Sequence, residues 1–267
     1  MIDLAAYFAR IGYGGSGEPT YETLAALHAL HPAAIPFENL DPLLGNPVVL
    51  EIGALQEKLV ARRRGGYCFE HNSLFAAVLD QLGFRVTRLS ARVVWMATPG
   101  APPSPRTHML LSVDVGGAAF VADVGFGGCV ALLPLRFDAG PAQPEPGAPM
   151  RLSAADGSYT LSVLTGAEWR DAYRFTREPC VPADYEVANW YTSTHPASHF
   201  RHNLVLERAR AQVRIKAFNR RVTRRFADGR SEEIVMRDAD ELAVVLDRDF
   251  GIDPPADPAT IFARLPA

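Results

Sequence analysis

The chain has 267 residues, of which 48% are hydrophobic and 21% charged, a composition that suits one large core divided into two or three subdomains. Its 27 basic and 30 acidic residues leave a formal net charge of −3 with no long basic block, which argues against nucleic-acid binding. No run reaches the roughly eighteen apolar residues of a membrane span, Met1-Ile2-Asp3-Leu4 opens no secretory signal, and the three cysteines are too scattered for a disulfide framework. A reducing, cytoplasmic compartment is expected.

The first eighty-odd residues carry helical patterns. Asp3 caps a short helix with Leu4, Tyr7, Phe8 and Ile11 at helical spacing. Thr20 caps a second with Tyr21, Leu24 and Leu27, which must stop before Pro32. Pro36, Pro42 and Pro47 make residues 33–48 irregular, and a third helix carries Ile52, Leu55 and Leu59. A fourth runs from Cys68 to Leu82, ended by Gly83. Strand patterns follow. Val86–Met96 leads through a proline-rich loop, 97–106, into His108–Val115, and Gly116-Gly117 forms a hairpin turn to a strand over Ala118–Phe126. Further strands are expected at 132–137, 159–164 and 173–176, with 139–149 a surface loop. A helix spans 183–194. Strands recur at 204–208, 212–218, 222–226 and 232–236, and closing helices begin at Asp238 and Asp257. Helices first and strands later predict an α+β fold.

Chemistry concentrates in Arg64-Gly65-Gly66-Tyr67-Cys68-Phe69-Glu70, a cysteine at a helix start after a diglycine. Free N–H groups and the macrodipole there stabilise a thiolate, and glycines let backbone approach a substrate. A buried, inert cysteine is the alternative for Cys68, and the one preferred for Cys129 and Cys180. A working thiol needs a base. His71, three residues on, could share the helix face and sit there solvated. His108 has the stronger geometric claim. Across a two-residue Gly116-Gly117 turn, residues whose numbers sum to 233 pair, so His108 faces Gly125 and Asp123 is a diagonal neighbour on the same face. Diagonal neighbours lie roughly 7–8 Å apart, within reach of a His–Asp hydrogen bond. That is the base-and-orienter pair of a Cys–His–Asp triad. Asp123 could instead cap a strand end or pair with an arginine, but amid Phe120, Val121, Val124 and Phe126 it needs a buried partner. Metal is not expected. Cys68-x-x-His71 has no second ligand pair at zinc spacing, and Pro196 breaks any helix that would align His195, His199 and His202. Gly125-Phe126-Gly127-Gly128 has the wrong spacing for a dinucleotide fingerprint and is read as a closely approaching loop.

Taken with residues 34–40 (Ala-Ile-Pro-Phe-Glu-Asn-Leu), Thr107-His108-Met109-Leu110-Leu111, 122–128 and 189–196, the segment 64–72 resembles the motifs of the bacterial arylamine N-acetyltransferases. The resemblance runs from residue 1 to about 205 and is diffuse beyond. It implies a helical bundle (1–85) carrying the cysteine, a central antiparallel β-barrel (86–195) carrying His and Asp, and a C-terminal α/β lid (196–267) around a papain-like core. It implies acetyl-CoA as co-substrate, a ping-pong transfer through acetyl-Cys68, and an aromatic amine or hydrazine as acceptor. It points to Phe37 and Phe126 as aromatic-substrate contacts and leaves Phe200 open between contact and core. Ser104, Thr107, Gly127 and Gly128 are the expected coenzyme A contacts. Two alternatives share the residues: an amide synthase of the same fold that joins an acyl chain from a carrier protein to an aryl amine, and a cysteine hydrolase. The oligomeric state is not readable.

Overall fold

The computed structural model describes residues 1–98, 100 and 102–266; the expected loop at 97–106 lies partly outside them. The N-terminal third is helical. Asp3 Oδ1 accepts the Ala6 N–H at the start of α1 (Leu4–Ile11), and Thr20 Oγ1 accepts that of Thr23 at the start of α2 (Tyr21–Ala34). Contrary to the expected stop, α2 passes through Pro32. Pro32 lies in its last turn, so it forfeits one hydrogen bond, to the His28 carbonyl, while Ile35 N–H still closes onto His31 O at 2.8 Å. The segment 33–48 is more ordered than its prolines suggest. It holds a two-residue strand, β1 (Phe37–Glu38), and a short helix, α3 (Leu40–Leu44). Helix α4 (Ile52–Leu55) continues as a π-helical turn over Gln56–Ala61, and α5 (Cys68–Gln81) follows.

Seven antiparallel strands form the middle, in the order β5-β4-β3-β2-β8-β7-β6. They are β2 (Arg85–Val93), β3 (His108–Val115), β4 (Ala118–Ala122), β5 (Leu135–Arg136), β6 (Met150–Ala155), β7 (Ser158–Thr165) and β8 (Glu168–Phe175). Gly116 and Gly117 have φ of 58° and 82°, a turn that only glycine or asparagine adopts easily, and it sets the expected register: Val115 opposite Ala118, Leu111 opposite Ala122. Three strand expectations need correction. The strand expected over 118–126 leaves the ladder after Ala122. That over 132–137 shrinks to Leu135–Arg136, because the Glu145 carboxylate takes the N–H groups of Leu132 (2.6 Å) and Leu133 (2.9 Å). Strand β6, which the sequence reading left out, pairs along β7 from Met150↔Val163 to Ala155↔Ser158.

The two edge strands nearly meet, and Gln143 fills the gap. Its backbone exchanges hydrogen bonds with Met150 at the start of β6, while its side-chain amide accepts from Arg136 N (2.7 Å) and donates to Arg136 O (3.0 Å) on β5. One residue thereby joins both edges of a curled, barrel-like sheet.

Helix α6 (Pro182–Thr194) leads into a second antiparallel sheet, ordered β1-β9-β10-β11-β12, with β9 (Val205–Ala209), β10 (Val213–Phe218), β11 (Arg221–Phe226) and β12 (Ser231–Val235). Helices α7 (Ala239–Val244), continued by a π-helical turn over Val245–Phe250, and α8 (Pro258–Phe262) close the chain on the caps expected at Asp238 and Asp257. Three main apolar clusters result. One packs α1, α2 and α5 on one face of β3 and β4, one fills the curled sheet, and one lies between the second sheet and α7–α8. Strand β3 is buried on both faces: Met109, Leu111 and Val113 face the helices, while Leu110 faces the sheet interior. No helix among the described residues is long and apolar enough to cross a membrane.

Candidate active site

Cys68 is the first residue of α5, and the turn before it is tightly built. Glu70 Oε2 accepts the Tyr67 N–H at 3.0 Å, and Gly66 O accepts the Glu38 N–H at 2.8 Å, fastening the loop to β1. A Cβ on Gly65 would lie 2.0 Å from the Pro36 carbonyl, and one on Gly66 2.7 Å from the Glu70 carboxylate. These glycines therefore serve the protein's own packing. Gly65→Ala should lower stability by about 2–3 kcal/mol, the upper part of the range for an overfilled core, read as a fall in melting temperature. An unchanged melting temperature would show that the loop yields.

Beneath the turn runs a chain of buried charge. Arg64 bonds Glu38 (2.6 Å) and Asp41 (3.1 Å), and Lys58 bonds Asp41 (2.6 Å) and Glu70 (2.6 Å). Three carboxylates share two cations. Burial, reinforced by the nearby Glu38, holds the Glu70 carboxyl above the usual range despite Lys58. The Lys58 ammonium is conversely pushed up by its carboxylate neighbours, against the effect of burial.

On β3, His108 sits on the face shared with Leu110, and Asp123, just past β4, lies on the matching face. His108 Nε2 and Asp123 Oδ2 are 2.7 Å apart, and the two side chains are 2% and 6% exposed, so the contact is closed to water. Burial alone would depress the imidazole. The Asp123 carboxylate overrides it, and with a hydrogen bond and charge from Cys68 pushes His108 up to about 10. Burial would raise Asp123, but the His108 charge and bonds from His108, Asn72 and Gly125 hold it below its usual value. With Nε2 turned to Asp123, Nδ1 is the nitrogen left for Cys68. The Cys68 thiol also lies 3.6 Å from the Thr107 carbonyl.

Asn72 braces the His–Asp contact. The register puts Met109 opposite Val124, but no rung forms there. The Asn72 amide, one turn along α5 from Cys68, stands in its place: Nδ2 donates to Met109 O (2.7 Å) and Oδ1 accepts from Val124 N (3.1 Å). Nδ2 also donates to Asp123 Oδ1 (2.9 Å). The Asn72 side chain thereby bridges the two strands and holds Asp123. On its far side, His28 Nε2 accepts the Asp123 backbone N–H at 3.0 Å. Neither Asn72 nor His28 was singled out from sequence. A buried asparagine one turn after the cysteine was the available signal, since it demands partners.

His71, the rival base, is neither solvated nor turned to the thiol. It is fully buried and depressed to about 4 by burial. Its Nε2 lies 3.2 Å from the Pro36 carbonyl, an acceptor only, so Nε2 carries the proton and Nδ1 accepts from His31 Nε2 at 2.8 Å. His31 Nδ1 must then accept from the Tyr7 hydroxyl, also at 2.8 Å. The relay is neutral, directional and fully occupied.

The aromatic residues split into two walls. Phe37 packs with Phe200 (6.0 Å between centroids) and lies parallel to His71, while Phe126 packs edge-on to His108 (5.0 Å). Phe200 also meets Tyr67 at 5.9 Å. Gly125 lets the loop reach Cys68, since a Cβ there would be 2.9 Å from the Cys68 Cα; one on Gly127 would be 2.5 Å from the Phe37 ring. Gly128 is buried, with its carbonyl taken by Lys216. Ser104 is partly buried and spends its hydroxyl on Val93 O (2.7 Å). The other thiols are differently placed. Burial pushes Cys129 up to about 12, and Cys180 donates to Ser90 Oγ. Among the described residues, no three His, Cys, Asp or Glu side chains converge as metal ligands.

A family model described as N-acetyltransferase matches residues 20–257, well past the point where the motifs fade. The arylamine N-acetyltransferase of Mycolicibacterium smegmatis is 45% identical over 94% of this chain and 92% of its own. A Salmonella typhimurium relative, named arylamine N-acetyltransferase / N-hydroxyarylamine O-acetyltransferase, is 39% identical over 93% and 88%. The solved structure of Mycobacterium marinum arylamine N-acetyltransferase in complex with CoA superposes with a TM-score of 0.94 at 39% identity, covering 98% of each chain. With the fold matched from end to end, the chain belongs to the arylamine N-acetyltransferase family and is an acyltransferase.

Proposed function

We propose that the protein transfers acetyl groups from acetyl-CoA to arylamines and arylhydrazines by a ping-pong route through acetyl-Cys68. The observation that carries this reading is the buried His108–Asp123 pair at 2.7 Å beside a cysteine that opens a helix. His108 Nδ1 takes the Cys68 proton, giving a thiolate and an imidazolium that Asp123 stabilises. The thiolate attacks the thioester carbonyl, and the N–H of Cys68 donates to the resulting oxyanion, because a helix start leaves it without an intrahelical acceptor. Collapse expels the CoA thiolate, which takes the proton from His108. In the second half the amine nitrogen attacks acetyl-Cys68, His108 removes its proton, and that proton returns to the departing Cys68 sulfur.

Phe37 and Phe126 flank the aryl ring in this reading, with Phe200 behind Phe37. Thr107, Gly127 and Gly128 line the approach of coenzyme A, together with Ser104 through its backbone. In this reading the chain divides into a bundle (1–85), a barrel (86–195) and a lid (196–267) around a papain-like core, with β1 lent by the first to the sheet of the last. Relatives of this name and a CoA-bound neighbour support the donor, and three free thiols suit a cytoplasmic enzyme.

Intact-protein mass spectrometry tests the route. Acetyl-CoA alone should leave one acetyl group on Cys68, and an arylamine should remove it. An adduct on Cys129 or Cys180, or one that forms only with a carrier-protein thioester, would overturn it.

A further inference from the structure

Beside the loop that follows Phe126 lies a charged cluster that the mechanism leaves unused. Glu207 on β9 is 3% exposed, an expensive place for a carboxylate. Its register partners are Phe37 on β1 and Lys216 on β10, so these three side chains stand in one row on one face of the second sheet. Arg214, two residues from Lys216, shares that face. Arg214 Nη1 binds Glu207 Oε1 at 2.8 Å, whereas Oε2 accepts no hydrogen bond and has the Lys216 ammonium 3.7 Å away. Both cations reach across to the loop. Lys216 donates to Gly128 O, and Arg214 donates to Val130 O at 2.9 Å. Cys129 is caught between the two bonded carbonyls, and Gly127, just before them, lies on the Phe37 ring. One face of the sheet therefore holds both the aromatic ring and the cations that bind the neighbouring backbone.

We propose that Arg214 and Lys216, anchored by Glu207, are positioning residues that fix the Gly127–Val130 wall of the acceptor pocket against Phe37 and so set affinity for the amine. The assignment rests on the reading of Phe37 as an acceptor contact. Packing alone does not require these residues, because a buried ion pair stabilises no better than apolar side chains of similar size. What apolar side chains could not do is hold two specific carbonyls in place.

The test combines Lys216→Met, the double variant Lys216→Met/Arg214→Met, and Lys216→Arg. Cys129 reports on the loop directly: in a Cys68→Ser background, its iodoacetamide labelling should be slow, and at least about tenfold faster in the double variant. With Cys68 present, Lys216→Met should raise the arylamine KM about tenfold, the signature of lost binding. Lys216→Arg should restore most of the KM. Unchanged Cys129 labelling in the double variant would refute the clamp. Faster labelling with an unchanged amine KM, or a Lys216→Met loss confined to kcat, would refute the positioning role. Failure of the acetyltransferase reading is separate: the unmodified enzyme would then form no acetyl-Cys68 from acetyl-CoA, whatever Cys129 does.

Discussion

An Asp123→Asn variant is expected to stay folded and to turn over about ten-thousand-fold more slowly, the scale of the analogous change in a serine protease triad. This carboxylate accepts hydrogen bonds from His108 Nε2, Asn72 Nδ2 and the Gly125 N–H. An amide oxygen satisfies one side, facing Asn72 and Gly125, which leaves its NH₂ aimed at His108 Nε2. That nitrogen must then accept, so the imidazole proton moves to Nδ1, the side of the thiol, where it blocks proton abstraction. Burial, no longer opposed by the Asp123 charge, should bring His108 down from about 10. The stability contribution follows in sign. The folded imidazole holds its proton more tightly than the unfolded one, so the pair stabilises fully below pH 6.5 and loses that effect as pH rises toward 10. The stability gap between the two proteins should therefore be widest below pH 6.5 and close above it. Turnover, denaturant melts across that window and a Cys68 thiolate titration by ultraviolet absorbance check the set. An unchanged thiol pKa in the variant would remove Asp123 from the site.

Two histidine variants should diverge further still. His108→Gln is expected to abolish acetyl transfer, by at least about ten-thousand-fold, together with rapid iodoacetamide alkylation of Cys68 near neutral pH. His71→Gln should keep transfer within about tenfold and lose about 2–3 kcal/mol of stability, because His31 and the Pro36 carbonyl lose well-aligned buried partners. Alkylation rates against pH, with circular dichroism on both variants, separate the outcomes. A His71→Gln protein with a dead thiol, beside a reactive His108→Gln protein, would reassign the base.

The legible parts of this molecule are those written in local chemistry. Two positive-φ glycines at 116 and 117 fix a hairpin register, and that register brings His108 and Asp123 to one face. Caps at Asp3, Thr20, Asp238 and Asp257 are likewise short-range events. What escaped depends on partners remote in sequence. Asn72 acts by standing between Met109 and Val124. Glu145 shortens a strand thirteen residues away by taking the Leu132 N–H. Strand β6 alternates poorly, with Ser153, Ala154 and Ala155 exposed, so nothing in its pattern marks it beside a proline-rich loop. His71 looked like a surface residue because periodicity cannot tell that β1 and α2 cover that side of α5.

The two ammonium groups in the ion networks have a consequence for the protein's own durability. Of the 27 basic residues only Lys58 and Lys216 are lysines; the rest are arginines. Lys58 is clamped between Asp41 and Glu70 and held protonated, and Lys216 is committed to Gly128 O beside Glu207. An ammonium is no nucleophile, and guanidinium stays charged throughout the working range. Such a chain carries its positive charge almost wholly in groups that activated acyl compounds do not modify, so prolonged exposure to thioesters should erode neither its solubility nor its ion pairs through stray lysine acylation.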